Sequence, residues 1–309
     1  MEVIAENKNA DIPTQIELTY KVFYPLLEQK SAEILKVQSK TFKYGSTDRH
    51  QLDVYYPPAT PSGTAPVLFF VYGGGYASGD RRMPAPRSLV YANLGAFYAE
   101  RGFVTVIADY RLLPNMKFPD PVVDIKDAIS WFVAHDDDVN SGAAVKADSN
   151  NIFIMGHSAG AAILASLILL PGLLPNGIKP RVRGVILQAA VYHFDTKVPT
   201  LPPPLVSAYY GPPESVQKDC PLSLLRQASE DAVRSLPEVL LVVSEFDLPG
   251  VLESHDDFHK LLQERTGKEV EEAVMKGHSH ITPHVSLYTG LGEEWAHGVI
   301  GWIKAKLPK

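Results

Sequence analysis

The sequence has almost no cysteine and no basic run, and each shortage excludes a class of protein. Cys220 is the only cysteine in 309 residues, so the chain cannot form an internal disulfide, and this fits a reducing, cytoplasmic location. Lysine and arginine total 29 against 35 acidic residues, which gives a net charge of −6 at pH 7. A mildly acidic chain is a poor candidate for binding nucleic acid or an anionic membrane.

Long hydrophobic segments are also missing. The longest apolar run covers residues 159–170, whereas a membrane-spanning helix needs about 20 apolar residues. The first 14 residues carry acidic and basic side chains and lack the apolar core of a secretory signal. We therefore expect a cytoplasmic protein without a membrane span, and the sequence leaves a homodimer open.

Apolar runs typical of strands alternate along the chain with helix-length segments. The strand-like runs are residues 67–72, 103–108, 151–155, 182–189, 238–244 and 270–275. The helix-length segments are residues 122–135, 159–170, 252–266 and 293–306. This alternation predicts a single α/β domain over residues 1–309 with a doubly wound, mostly parallel sheet. Residues 41–44 and 51–56 are predicted to be a leading antiparallel pair.

Two segments do not fit the alternation, and we expect them to form a helical cap. In residues 12–37, helical spacing links Ile16, Tyr20, Phe23 and Leu27. Residues 195–235 are rich in proline and have no strand signal. Together with residues 1–40 they are predicted to cover the carboxyl ends of the strands, where open α/β sheets bind ligands.

A nucleophile motif follows the third strand of the alternation. Residues 156–160 read Gly-His-Ser-Ala-Gly, which is Gly-x-Ser-x-Gly between a buried strand and an apolar helix. A sharp strand-to-helix turn needs small neighbours, because a side chain there would collide with the sheet or the helix. Ser158 is therefore the predicted nucleophile, at a helix N-terminus that favours a developing anion.

A run of three glycines, Gly73 to Gly75, ends the first buried strand. Bare backbone amides can approach a substrate there without obstruction by a Cβ atom. Two of these amides and the amide after the nucleophile would hold the oxyanion of a tetrahedral intermediate. A phosphate-binding loop is disfavoured, because neither Gly-Lys-Ser/Thr nor Gly-x-Gly-x-x-Gly spacing is present.

A serine nucleophile needs a histidine base and a carboxylate that orients it. The loop after the strand at 238–244 offers Glu245 and Asp247, and we favour Asp247 because it lies further beyond the strand end.

The base is expected in the loop that follows the strand at 270–275. This loop contains His278, His280 and His284. We favour His280, because Gly277 opens the loop and the residues before His280 can turn it back toward the serine.

With these motifs the chain resembles the hormone-sensitive-lipase-like carboxylesterases of the α/β-hydrolase superfamily. The resemblance covers the chain from about residue 50 to its end. The residues that carry it are Tyr-Gly-Gly-Gly (72–75), Asp-Tyr-Arg-Leu-Leu-Pro (109–114), Phe-Pro-Asp-Pro (118–121) with Asp124 and Ala128, Gly-His-Ser-Ala-Gly (156–160), Ser-Glu-Phe-Asp-Leu-Pro (244–249) and Gly-His-Ser-His (277–280).

The resemblance implies a catalytic triad, an oxyanion hole and a cap. The implied triad is Ser158, Asp247 and His280, and the implied oxyanion hole consists of the amides of Gly74, Gly75 and Ala159. The N-terminal helices and the insertion before the acid-bearing strand would shape the substrate site. The chain departs from the family at Tyr72, where a histidine is usual.

Two other groups of residues could bind metal ions, but in both a solvent-exposed segment without a metal is the simpler interpretation. His255 and His259 have the i, i+4 spacing of a zinc site, but they lie in a polar helix, and a solvated helix face is favoured. The acidic run 136–138 has no calcium-loop pattern after it.

Four charged residues are expected to form ordinary ion-pair or surface features. We expect Arg81 and Arg82 to be a surface pair, and Asp109 and Arg111 to be a buried ion pair beneath the site.

The function expected from the sequence is a serine carboxylesterase for small esters that needs no metal and no organic cofactor. An arylformamide or lactone hydrolase with the same triad is an alternative. A non-enzymatic ligand-binding protein on this fold and a zinc hydrolase centred on His255 and His259 also remain open.

Overall fold

The computed structural model describes residues 1–59 and 63–308, and these contain an eight-stranded sheet. In chain order the strands are β1 (Ser39–Lys43), β2 (Gln51–Tyr55), β3 (Thr64–Val71), β4 (Val104–Ala108), β5 (Lys146–His157), β6 (Val182–Gln188), β7 (Glu238–Phe246) and β8 (Glu271–Ser279). Across the sheet they are ordered β1-β2-β4-β3-β5-β6-β7-β8. β2 is antiparallel to both of its neighbours, and all other pairs are parallel. The predicted mostly parallel α/β sheet is confirmed.

The central strands are apolar along their whole length because both of their faces are covered. Every residue of β4 is buried, as are the last five residues of β3 and the last six of β5. Parallel strands enclosed in this way have no polar face, so their sequences do not alternate.

Fourteen α-helices surround the sheet in the described part of the chain. They are α1 (Glu2–Glu6), α2 (Ile12–Gln29), α3 (Ser31–Lys36), α4 (Ala92–Glu100), α5 (Asp120–Ala134), α6 (Asp136–Asn140), α7 (Ala159–Leu169), α8 (Pro203–Tyr210), α9 (Pro213–Asp219), α10 (Pro221–Gln227), α11 (Glu230–Arg234), α12 (Pro249–Thr266), α13 (Thr282–Ser286) and α14 (Glu294–Ala305). α7 is almost wholly buried, which explains why it is apolar on all sides.

The N-terminal region differs from its prediction in two respects. The single helix expected over residues 12–37 is two helices, α2 and α3, which meet at Lys30. The most deeply buried face of α2 consists of Gln15, Thr19, Phe23 and Leu27. Ile16 and Tyr20, which were expected on that face, are only partly buried.

Strand order brings three loops to one edge of the sheet. β5 ends at His157, β7 at Phe246 and β8 at Ser279, and the strands from β5 to β8 lie side by side in parallel. The residues directly after these strands therefore lie at the same edge. None of the helices that the structure describes is long and apolar enough to cross a membrane.

Candidate active site

Ser158 occupies a sharp turn between β5 and α7. Its backbone angles, φ 53° and ψ −123°, are unusual for a residue with a side chain. A Cβ atom on Gly160 would lie 2.1 Å from the carbonyl oxygen of Val71, and one on Gly156 would lie 2.7 Å from the amide nitrogen of Ala161. The two glycines of the motif are therefore required by close backbone contact, as the motif predicts.

The structure brings Ser158, His280 and Asp247 into one hydrogen-bonded chain. His280 Nε2 lies 3.0 Å from Ser158 Oγ, and His280 Nδ1 lies 2.7 Å from Asp247 Oδ1. A carboxylate only accepts hydrogen bonds, so Nδ1 carries the proton and the lone pair of Nε2 faces the hydroxyl. Asp247 Oδ1 also accepts the amide of Leu248 at 2.9 Å. All three side chains are buried, which strengthens these interactions.

The competing acid and base residues have other partners. Glu245 Oε2 accepts the amide of Gly277 at 2.7 Å. His278 Nε2 lies 2.7 Å from the carbonyl oxygen of Gly292. The ring of His284 packs against Phe70, with 4.8 Å between the ring centroids.

The glycine loop passes directly beside the nucleophile. A Cβ atom on Gly73 would lie 2.9 Å from Ser158 Cβ, and Gly74 and Gly75 have φ values of 121° and 59°. Within the described residues, the amides of Gly74, Gly75 and Ala159 donate no hydrogen bond. They are therefore free to donate to an oxygen of a bound substrate.

Two buried side chains that the sequence analysis missed hold the backbone of His280. Its amide donates to Gln15 Oε1 at 3.1 Å, and its carbonyl accepts from His157 Nε2 at 2.8 Å. Gln15 Nε2 donates to the carbonyl of Ala10 at 2.9 Å, so both ends of its amide group are used. In the sequence, Gln15 is only a polar residue within an amphipathic helix. Such residues are common on helix surfaces, so nothing singles it out.

Burial keeps the neighbouring histidines uncharged at neutral pH. Burial lowers the pKa of His284 to about 3 and the pKa of His278 to about 4. Burial likewise lowers the pKa of His157 well below its usual value. Because His157 Nε2 faces a carbonyl, this nitrogen carries the single proton of the neutral ring.

Tyr72, the departure from the family pattern, anchors the start of the glycine loop. Its hydroxyl donates to Asp109 Oδ1 at 2.6 Å, and its ring stacks on Tyr110 with 5.0 Å between centroids. Asp109 also accepts the amide of Arg81 at 2.7 Å and contacts the Arg81 guanidinium. The tyrosine therefore belongs to a charged network behind the loop.

Two predictions about charged residues are wrong, although Arg82 is 52% exposed, as expected. Arg81 is not a surface residue, because its side chain is only 15% exposed and is held by Asp109. Arg111 pairs with Asp124 at 2.8 Å, and not with Asp109. Nearness in sequence suggested the wrong partner, because Asp124 reaches Arg111 from helix α5, 13 residues further along the chain.

A cavity of about 530 Å³ opens over Ser158 and His280. Most of its other lining side chains are apolar, and they include residues of α2, of the segment at 200–205 and of the loops near the glycines. Arg87 is the one cation among the lining residues. Ile16 and Tyr20 line this cavity, which explains why they are not on the buried face of α2.

A larger cavity of about 730 Å³ adjoins the first at Thr200 and Leu201. It contains neither Ser158 nor His280. We place the candidate active site in the smaller cavity, because only there do a nucleophile, a base and free amides converge.

The structure also revises the interpretation of two metal-binding candidates. The expectation that His255 and His259 both face solvent is wrong for His255, which is 1% exposed. Among the described residues, His255, His259 and Glu272 are the one group of three metal-donor side chains that lie close together. The acidic run Asp136–Asp138 starts helix α6 and is not part of such a group.

Part of the chain is similar in sequence to a known protein family and to several named esterases. The BD-FAE family model matches residues 52–197, just under half of the chain. A probable isoprenylcysteine alpha-carbonyl methylesterase from Oryza sativa subsp. japonica is 37% identical over 126 residues, which cover 41% of this chain and 27% of that protein. Esterase LipC from Mycobacterium tuberculosis is 34% identical over 140 residues, which cover 45% of this chain and 31% of LipC. The chain thus spans about a quarter to a half of the length of such relatives.

Solved structures resemble the chain over nearly its full length. Esterase B from Lactobacillus rhamnosis superimposes with a TM-score of 0.68 at 17% identity and covers 94% of this chain and 95% of its own. A thermostable esterase from Pseudomonas putida gives a TM-score of 0.68 at 18% identity, with coverage of 94% and 91%. The chain therefore has the α/β-hydrolase fold. Its sequence relatives are named esterases over the part of the chain that they match, as the resemblance to hormone-sensitive-lipase-like esterases leads us to expect.

Proposed function

We propose that this protein is a serine hydrolase that cleaves small carboxylic esters through an acyl-enzyme on Ser158. The observation that carries the proposal is the hydrogen-bonded chain from Ser158 Oγ through His280 to Asp247, opening onto a cavity of about 530 Å³. Sequence relatives named esterases support the same reaction class.

The geometry supports a two-step mechanism. His280 Nε2 accepts the proton of Ser158 as Oγ attacks the ester carbonyl, and Asp247 orients the imidazole and stabilises its charge. The amides of Gly74, Gly75 and Ala159 donate to the oxyanion of the tetrahedral intermediate. His280 then protonates the leaving alcohol, and in the second step it activates the water that releases the acid. These groups supply the whole reaction without a metal or organic cofactor.

The cavity favours apolar substrates of limited size. Its lining is mainly aliphatic and aromatic, and its volume lies in the usual range for small-molecule sites. We therefore expect short and medium acyl chains to be cleaved faster than long ones.

The test is hydrolysis of p-nitrophenyl acetate, butyrate, octanoate and palmitate by the wild type and Ser158→Ala, with and without a chelator. We expect turnover of the shorter esters that is insensitive to chelator and is lost in Ser158→Ala, with an unchanged unfolding midpoint for the variant. Turnover that survives Ser158→Ala would contradict the serine mechanism. Failure of the wild type on all four esters, and on formamides and lactones, would favour a ligand-binding protein.

Hydrolysis of an isoprenylcysteine methyl ester is a second candidate. The observation that favours it is the name of several plant relatives, which are 33–39% identical over part of this chain, together with the apolar cavity. The test is release of methanol from N-acetylfarnesylcysteine methyl ester, measured beside p-nitrophenyl butyrate. A kcat/KM for the methyl ester far below that for the butyrate would reject it.

A further inference from the structure

We infer that His255, His259 and Glu272 form a binding site for a divalent transition-metal ion such as Zn²⁺, separate from the serine site. One donor atom from each side chain lies within 4.8 Å of the other two. Two histidines and a glutamate are a donor set that suits zinc and its chemical neighbours. The inference is independent of the proposed esterase activity.

The secondary structure places these donors on two packed elements. His255 and His259 are one turn apart on α12, so they share a face of the helix. Glu272 lies on β8, the last strand of the sheet order, beside the β7 strand that leads into α12. His255 Nε2 is 2.6 Å from Glu272 Oε1, and His259 Nδ1 is 3.8 Å from Glu272 Oε2.

The separations between the donor atoms lie on either side of those that a metal ion would impose. Ligand atoms at tetrahedral positions around zinc, with bonds of about 2.0–2.2 Å, are separated by about 3.3–3.6 Å. The carboxylate is hydrogen-bonded to His255 at 2.6 Å, which is shorter than this, and lies 3.8 Å from His259, which is slightly longer. A small rotation of the partly exposed Glu272 side chain would equalise the two separations.

The hydrogen bond of His259 leaves its other ring nitrogen available to a metal ion. Its Nε2 lies 3.1 Å from the carbonyl oxygen of Val270, which only accepts, so Nε2 carries a proton. In the neutral ring, Nδ1 therefore presents a lone pair to the carboxylate of Glu272. A ring lone pair and a carboxylate oxygen that face each other at 3.8 Å are arranged so that a metal ion could bind between them.

The surroundings also resemble those of a ligand histidine. In metal sites, a coordinating imidazole commonly donates its other N–H to a backbone carbonyl, as His259 does to Val270. His255 is 1% exposed, whereas the side chains of His259 and Glu272 are 19% and 36% exposed. One of the three side chains is thus buried and the other two are partly exposed. A water molecule can therefore reach the site and supply a fourth ligand.

Metal binding would join the last strand of the sheet to the helix beside it. α12 begins two residues after Asp247, and β8 ends one residue before His280. The ion would therefore stabilise the part of the fold that carries the acid and the base, and it would take no part in the chemistry at Ser158. With Zn²⁺ at about 100 times its dissociation constant, we expect the unfolding midpoint to rise by about 4 °C.

The experiment measures Zn²⁺ on the full chain after removal of metal with a chelator. Stoichiometry comes from elemental analysis after gel filtration, affinity from calorimetric titration, and the donor set from the visible spectrum of the Co²⁺ form. The variants are His259→Gln and Glu272→Gln, which alter partly exposed side chains. The matched controls are Glu271→Gln, next to Glu272 on β8 but paired with Lys306, and His297→Gln, an exposed histidine on α14.

We expect one Zn²⁺ per chain, at least tenfold weaker binding in His259→Gln and Glu272→Gln, and no change in the controls. The same binding in Ser158→Ala would separate this site from the serine site. No stoichiometric binding, or binding that the two variants leave unchanged, would overturn the inference. A wild-type unfolding midpoint that Zn²⁺ does not raise would overturn the stabilising role.

Discussion

At the scale of single residues, two contacts of His280 differ in whether the sequence predicts them. Its contact with Ser158 follows from a local motif, whereas its contact with Gln15 does not. Ser158 stands in a pentapeptide whose glycines are required by the turn, so a short stretch of sequence marks it as the candidate nucleophile. Gln15 touches the same histidine from 265 residues away. No local pattern marks such a residue, because its contact depends on where α2 lies in the folded chain.

Gln15→Met is predicted to lower kcat/KM by about tenfold. The substitution keeps the side-chain length but leaves the His280 amide and the Ala10 carbonyl without their partner, so the imidazole is less well positioned. The free energy of unfolding should fall by about 1–3 kcal/mol, the cost of an unsatisfied buried polar group. Kinetics with a p-nitrophenyl ester and urea unfolding measure the two effects.

Thr19→Val is the matched control for Gln15. Thr19 lies on the same buried face of α2, and its hydroxyl donates to the carbonyl of Gln15 at 2.6 Å, but it has no hydrogen bond to His280. We expect kcat/KM to stay within about twofold of the wild type. Equal losses in both variants would mean that general loosening of α2, and not the contact with His280, controls activity.

At the scale of secondary structure, periodicity predicts the existence of an element better than its orientation. Each of the strands predicted from the sequence is present, with ends that differ by a few residues. The helical spacing in the N-terminal region is real, but the deepest face of α2 carries Gln15 and Thr19, and Ile16 and Tyr20 line the cavity. Apolar residues indicate either a core or a binding cavity, and hydrophobic spacing alone does not separate the two.

Gly160→Ala is predicted to destabilise the fold by about 3 kcal/mol or more. The new Cβ atom would lie 2.1 Å from the Val71 carbonyl oxygen, so α7 would have to move away from β3. The matched control is Gly298→Ala on α14, where a Cβ atom meets nothing within 4 Å. That change should stabilise the protein by about 0.5–1 kcal/mol, because alanine has the higher helix propensity.

Urea unfolding monitored by circular dichroism measures both glycine variants. A stable, active Gly160→Ala protein would show that the turn tolerates a shift that the structure does not suggest. If Gly298→Ala instead destabilises the protein by more than about 1 kcal/mol, the outer surface of α14 has a contact that the described residues do not account for.

At the scale of the whole molecule, the sequence predicts the sheet and the chain order of the site, but not the cavity. The parallel strands follow from their continuous apolar runs, and loops after parallel strands meet at one edge. The cavity depends on how α2 and the segment at 200–205 lie over that edge, and the cap itself stays a prediction. The charged network of Asp109 was also not predicted, since Arg49 and Arg81 reach it from distant parts of the chain.

Burial of several uncharged histidines makes a prediction about acid stability. His278 and His284 have folded-state pKa values of about 4 and about 3, and the pKa of His157 is also well below its usual value. In the unfolded chain each titrates near 6.5. Between these values the unfolded state binds more protons than the folded state, so stability is complete above about pH 6.5 and is lost as the pH falls. Each histidine contributes a slope of up to about 1.4 kcal/mol per pH unit.

Urea unfolding at pH 7.5, 6.5 and 5.5 measures this slope before most carboxylates titrate. His284→Phe should reduce it by about a third, because it removes one titrating ring. Both nitrogens of that ring are buried without a hydrogen-bond partner among the described residues, so phenylalanine should also fit without loss of stability. The exposed His297→Gln is the control and should leave the slope unchanged. A slope equal in all three proteins would mean that His284 is already protonated in the folded state, or that the unfolded chain does not protonate it in this range.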